Sequence, residues 1–320
     1  MPPRPGLARL LRPALGLVLS SCLAACVAPS GCHRGGSADA DAATAVDLSP
    51  IPAPEGLIGD MFMPTPDATW EKTRALVGGP ALFLPQTFGA LVTTLLKLPL
   101  TFAGEIDGGV PALGAAMQRG EGPTFGALAI HLRDGGRAVD QLTRAPEARF
   151  DGKLDEASKI TRITPKPPAA AATPVIGVLG NYLIVAARPE DLLAAGPYIA
   201  RSLPVRAMPS EDLVLELPAS AMAGPIQAGL RRSWGNAREN AENAGLPVMP
   251  LASSMVSALD AVGDAEKGRV ALTIDAAGLH ARATLSPKPG GGPASRAIDE
   301  MRVGDGQPLL DSCSSRARRA

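Results

Sequence analysis

VIGVLGNYLIVAARPEDLLAAG, residues 175–196, holds the fold in miniature. Two apolar runs flank Gly180-Asn181, a two-residue turn signal in which Gly supplies a positive φ. Pro189 then suits the opening of a helix, because it lacks the N–H that a first helical residue leaves unpaired. The unit is a short hairpin that runs into a helix. GRVALTIDAAGLHARATL (268–285) repeats it: Val270, Leu272 and Ile274 alternate, DAAG turns, and Leu279, Ala281 and Ala283 resume. Pro293 then opens a helix expected to reach about Met301.

Three other segments read as a strand followed by a helix. LIGDMFMP (57–64) precedes TPDATWEKTRALVGG, where Thr65 can cap, Pro66 fits the first turn and Gly78 ends the helix. TFGALAIHL (124–132) precedes RDGGRAVDQLTR, with Ala138, Val139 and Leu142 on one face. EDLVLELP (211–218) precedes a long stretch with Met222, Ile226, Leu230 and Trp234 spaced by four, an apolar stripe beside a charged face. Period-two alternation implies one buried and one wet sheet face. The expectation is an α+β fold: a mainly antiparallel sheet with helices packed on one face.

The most apolar stretch is PALFLPQTFGALVTTLLKLPLTFAG (80–104). Pro85 and Pro99 confine a helix to about 86–98, and Lys97 is a poor residue for a bilayer centre. Phe88, Leu91, Val92, Leu95 and Leu96 follow i, i+3, i+4, i+7, i+8, which makes a wide apolar face. That face suits a core helix first. The alternatives are one wall of an apolar-ligand groove, or a surface resting on lipid.

The first residues read as an export signal: Arg4, Arg9 and Arg12 without an acid, then an uncharged run from Pro13 to Ala25. The run is short for a spanning helix, which needs about 20 apolar residues. It ends Leu23-Ala24-Ala25-Cys26. These four residues resemble the bacterial lipobox, and the resemblance implies acylation of the Cys26 thiol and cleavage before it. The organisation expected is a signal peptide over 1–25 and a lipidated Cys with a flexible linker over 26–56. An α+β domain then spans 57–303, with room for a subdivision near 165–175, and an irregular tail occupies 304–320. Val27 after the Cys favours the outer membrane over the inner one. The 27–56 segment is rich in Ala, Ser, Asp, Gly and Pro; its Asp39, Asp41 and Asp47 lack the Gly turn and bidentate Glu of a calcium loop. Cys32 and Cys313 remain, and nothing in the sequence places them within bridging distance. The tail turns Ser- and Arg-rich after Leu310, as expected of a chain shorter than its relatives.

Stretches such as GNYLIVAARPEDLL and ALTIDAAGLHARATL are similar to secreted bacterial domains of unknown function, built from repeated strand–helix and hairpin–helix units. The likeness spans about 57–303 and implies no catalytic residue.

Composition narrows the function. Lys plus Arg and Asp plus Glu are both 31, so the basic surplus of a nucleic-acid binder is lacking. Aromatics at 3% leave the core to Ala, Leu, Val and Ile, and leave few platforms for stacking sugars. His33, His131 and His280 lie too far apart for a zinc pair. No G-x-S-x-G elbow, Ser-x-x-Lys pair, phosphate loop or dinucleotide fingerprint occurs. Acidic clusters at Asp151/Asp155/Glu156 and Asp260/Asp264/Glu266 fall in expected turns or helix ends, where solvated acids are routine. The reading is a membrane-anchored envelope lipoprotein that binds or scaffolds without catalysis. It needs no cofactor or metal, has its membrane and an envelope protein as partners, and binds no nucleic acid. A carrier or sensor of an apolar ligand beside the 86–98 helix comes second, and an envelope hydrolase third.

Overall fold

The computed structural model describes residues 48–120, 122–167, 174–245, 249–292 and 294–296. The fold is α+β, as expected from the sequence. Its strands are β1 (Leu57–Met63), β2 (Ala112–Gln118), β3 (Thr124–His131), β4 (Phe150–Asp155) and β5 (Ile160–Pro165), then β6 (Val175–Leu179), β7 (Tyr182–Ala186), β8 (Leu213–Pro218), β9 (Ala265–Asp275) and β10 (Gly278–Pro287). They form a sheet in the order β10-β9-β8-β1-β2-β3-β7-β6-β5-β4. Every pairing from β1 through β4 is antiparallel. The helices are α1 (Pro66–Val77), α2 (Phe88–Leu96), α3 (Gly135–Thr143), α4 (Pro189–Ser202), α5 (Gln227–Asn243) and α6 (Met249–Gly263).

Helices cover the middle of the sheet on both faces, not on one. On the first face Ala127 and Ala129 of β3 and Ile184 and Ala186 of β7 pack under Leu192, Ala195 and Ile199 of α4. On the second, Ile130 and Leu183 pack with Ala138 and Leu142 of α3, Val92 of α2 and Phe102. Successive residues in the middle of β3 and in β7 therefore serve opposite cores, and Phe125–Ile130 and Tyr182–Ala186 read as apolar runs rather than as polar/apolar alternation.

The hairpin at 180–181 forms as read, with Gly180 at φ 55° between β6 and β7. That turn is also where α3 begins. Gly135 donates its N–H to Asn181 Oδ1 at 3.1 Å, and a Cβ on Gly135 would lie 1.9 Å from the Gly180 carbonyl oxygen. Backbone meets backbone there, so Gly135→Ala is expected to lower stability by about 1–3 kcal/mol, read as a fall in the urea midpoint. Equal stability would show that α3 can retreat at no cost.

Other boundaries shift from expectation. Thr65 precedes α1 but its side chain makes no capping bond, while Pro66 and Gly78 (φ 71°) stand as expected. Residues 48–56 belong to the fold rather than to a linker. Ser202 Oγ donates to the Ile51 carbonyl at 2.6 Å and accepts from its N–H at 2.8 Å, and Arg201 reaches Ser49 O at 2.8 Å. Leu48 lies against Gly180. Residues 165–175 are no boundary, because β5 and β6 are antiparallel neighbours on either side of it. The chain divides instead at Leu215/Glu216, Val270/Ala271 and Arg282/Ala283, inside β8, β9 and β10.

The smaller unit, by itself, has a modest core of Met222, Ala261 and Ala265. Its expected apolar stripe is broken: a π turn at Met222–Ile226, with Gly224 out of helical geometry beside Pro225, precedes α5. Met222 is buried, Leu230 is exposed and no residue of α5 is buried. Gln227 Nε2 donating to Leu259 O at 2.8 Å and the Arg231–Asp260 pair at 2.6 Å hold α5 to α6.

Candidate functional site

Met63 of β1 pairs with Ala112 of β2, so residues 64–111 form one excursion rooted at a single end of the sheet. Its chain order is α1, a 3₁₀ turn at Gly79–Phe83, α2, a second 3₁₀ turn at Leu100–Glu105, and a return to β2. Thr87 caps α2 by accepting the Ala90 N–H at 3.1 Å, and Lys97 closes it at φ 55°. The loop before α2 is pinned onto α1: Trp70 Nε1 donates to Pro85 O at 2.9 Å and the Phe88 N–H to Asp67 Oδ1 at 3.2 Å.

The five residues expected to share an apolar face do not act together. Val92 is buried, and Phe88 and Leu96 pack onto the cluster of Leu98, Phe102 and Ile106. Leu91 is half-buried, and Leu95 is exposed. The contact between α2 and the second 3₁₀ turn is close, since a Cβ on Gly89 would fall 2.6 Å from Ala103 O. The inner face of α2 is thus filled by its own core.

Apart from Leu95, the large apolar residues that the excursion leaves exposed lie outside α2. Phe83 is 92% exposed, Leu82 79% and Leu100 75%, all in the two 3₁₀ turns. Leu76 and Val77 at the end of α1 are also exposed. No Asp or Glu occurs from Lys72 to Gly104. The periodicity of 86–98 could not reveal these residues, because 3₁₀ turns beside Pro85 and Pro99 carry no helical period. The signal available was the high hydropathy outside the helix.

Three of the buried carboxylates, Glu105, Asp212 and Asp60, sit in long-range ion pairs that are also invisible to periodicity. Glu105 is buried and takes Arg137 Nε at 3.0 Å. Asp212 is buried and takes Lys72 Nζ at 2.7 Å and the Ile274 N–H at 2.7 Å. Asp60 accepts from Arg206 and from the Tyr198 hydroxyl at 3.2 Å; burial and that carboxylate push the Tyr198 phenol up to about 12. A carboxylate neutralised by a fixed cation is a poor proton donor. Asp151 and Asp155 belong to β4 and not to a turn, and Ser158 holds the Asp155 carboxyl below its usual range. Asp260 belongs to α6, where Arg231 pairs with it.

His131 ends β3 with its ring edge-on to Tyr182 at 5.3 Å between centroids. Burial lowers its pKa from 6.5, and Asp107 at 3.8 Å only partly opposes this. The unfolded chain therefore binds the proton first. The stabilising effect is complete above about 6.5 and is lost as pH falls through the lower folded value. His131→Gln is expected to flatten the decline in urea midpoint between pH 7 and 5, a window above the carboxylate range near 4. An unchanged slope would assign that decline to other groups.

Among the described residues no three His, Cys, Asp or Glu side chains group so as to hold a metal ion. Among them, too, no helix is long and apolar enough to cross a membrane. Cys26, Cys32, His33, Cys313, the signal segment and the 304–320 tail lie outside the described residues. No protein-family model, curated protein or solved structure matches the chain.

Proposed function

We propose that this protein is an exported bacterial lipoprotein, held in the cell envelope by lipid on Cys26, whose α+β domain binds or scaffolds without turnover. Leu23-Ala24-Ala25-Cys26 directly after a basic, then uncharged, leader carries the reading. Two or three acyl chains give stable anchoring, at about 0.8 kcal/mol per buried CH₂. The paired state of the buried carboxylates supports a role without catalysis. Val27 favours the outer membrane. The apolar-carrier alternative loses support where Phe88, Val92 and Leu96 are taken up by the core.

The test is intact mass and detergent-phase partitioning on protein from its native membrane, wild type against Cys26→Ser. A chain beginning at Cys26 with added acyl mass, and its loss from the detergent phase in the variant, is the expected result. An unmodified chain that partitions into water would overturn the anchor.

A further inference from the structure

We propose that the exposed apolar side chains of the 64–111 excursion, Leu82, Phe83 and Leu100 in its two 3₁₀ turns and Leu95 on α2, seat in the interfacial layer of the bilayer that holds the Cys26 lipid. The inference rests on the lipoprotein reading for its membrane, and on the fold for its orientation.

Three observations select lipid as the occupant. The first is shape. Phe83, Leu82 and Leu100 lie in two 3₁₀ turns and are the most exposed large apolar side chains there, while the chain beside the first turn is held by Trp70–Pro85 and the second turn by its own buried Phe102. Rigid projecting side chains enter the boundary of headgroups and acyl chains, to a depth of about 5–10 Å, without a complementary pocket. The second is charge. With no Asp or Glu between Lys72 and Gly104, and with Lys97 exposed beside Leu95 and Leu100, nothing acidic on this segment opposes an anionic headgroup layer.

The third is where the anchored chain joins the fold. Leu48 lies against Gly180 in the β6–β7 turn. The neighbouring Asn181 carbonyl accepts the Leu132 N–H at 2.7 Å, and Leu132 bridges to Ile106 at the close of the second 3₁₀ turn. That end of the sheet is also where β1 ends and β2 begins, the root of the 64–111 excursion. The chain that comes from Cys26 therefore joins the fold at the end where the excursion bearing the exposed apolar side chains is rooted. At up to about 3.4 Å per residue, the segment from Cys26 to Leu48 is long enough for that end to touch the bilayer. Tethering also makes the contact intramolecular, so weak insertion suffices.

The test places a photoreactive benzoylphenylalanine at Phe83 in the full-length protein in its native membrane. A control carries the same residue at Thr124, exposed at the opposite end of β3. After irradiation, the adduct mass names the neighbour. Phospholipid adducts at 83 and none at 124 are expected. Adducts to a second copy of the chain or to another protein, or no adduct at 83, would overturn the proposal. The intact mass of the same sample reports Cys26 separately. An acylated Cys26 without a lipid adduct sinks only the docking, whereas an unacylated Cys26 sinks the lipoprotein reading whatever happens at 83.

Discussion

Phe102→Ala is expected to cost about 3–5 kcal/mol, because the ring is fully buried and the space it leaves cannot collapse easily. Phe102 packs in the cluster that joins Val92 of α2 to Ile106 and to Leu132 beyond β3. It is a stem of the excursion as well as a core residue, because its own 3₁₀ turn carries exposed Leu100. Phe102→Leu keeps most of the volume and is expected to cost under about 1.5 kcal/mol. Urea unfolding of the two variants checks the pair. Equal, small losses would mean that the second 3₁₀ turn is not anchored by this ring.

The second large effect is an asymmetry at the start of α4. Asp191 is fully buried and takes a two-pronged contact from Arg188, Nε to Oδ2 at 3.0 Å and Nη2 to Oδ1 at 3.2 Å. Arg119 stands 4.0 Å away. Arg188→Ala strips the nearest cation from a carboxylate that water does not reach, and is expected to cost about 3 kcal/mol. That is the low end for a broken buried pair, because half-exposed Arg188 is itself screened and Arg119 compensates in part. Asp191→Asn removes the buried charge along with its need for a partner, and is expected to cost only about 1–2 kcal/mol. Urea midpoints in the reverse order would show that the pair is worth more as an attraction than as a neutraliser.

Phe102 acts through residues far from it in the chain, such as Leu132, whereas Arg188 and Asp191 are local neighbours whose burial only the fold reveals, and that marks how much was legible beforehand. Helices α1, α3 and α4 and the β6–β7 hairpin could be read because Pro66, Pro189, Gly78 and Gly180 punctuate them and because one face of each is apolar. Strand β2, ALGAAMQ, could not: it is buried on both faces, so it does not alternate, and its small residues carry little strand preference. The β4–β5 hairpin was hidden for the opposite reason. As the edge pair it is polar, FDGKLD and ITRITP, and its turn runs through Lys159 at φ 59° rather than through a glycine. On α2 the periodicity identified an apolar helix correctly. It could not separate Val92, which faces the core, from Leu95, which faces out, because both lie on the same broad stripe. Leu82, Phe83 and Leu100 needed the fold to show that they stand exposed among the described residues.

The strap at 48–56 has a mechanical consequence. It runs from the Gly180 end, past Ser202, to the far end of β2, where Gln118 donates to Gly56 O at 2.8 Å, and only then turns into β1. A pull from the amino-terminal side meets the Arg201–Ser49 and Ile51–Ser202 bonds first, and loads them along the strap's length. Strand β1, in the middle of the sheet, feels tension only after those bonds part. The segment works like the clamp where a cable enters a housing, taking the jerk at the rim and keeping it from the wiring inside.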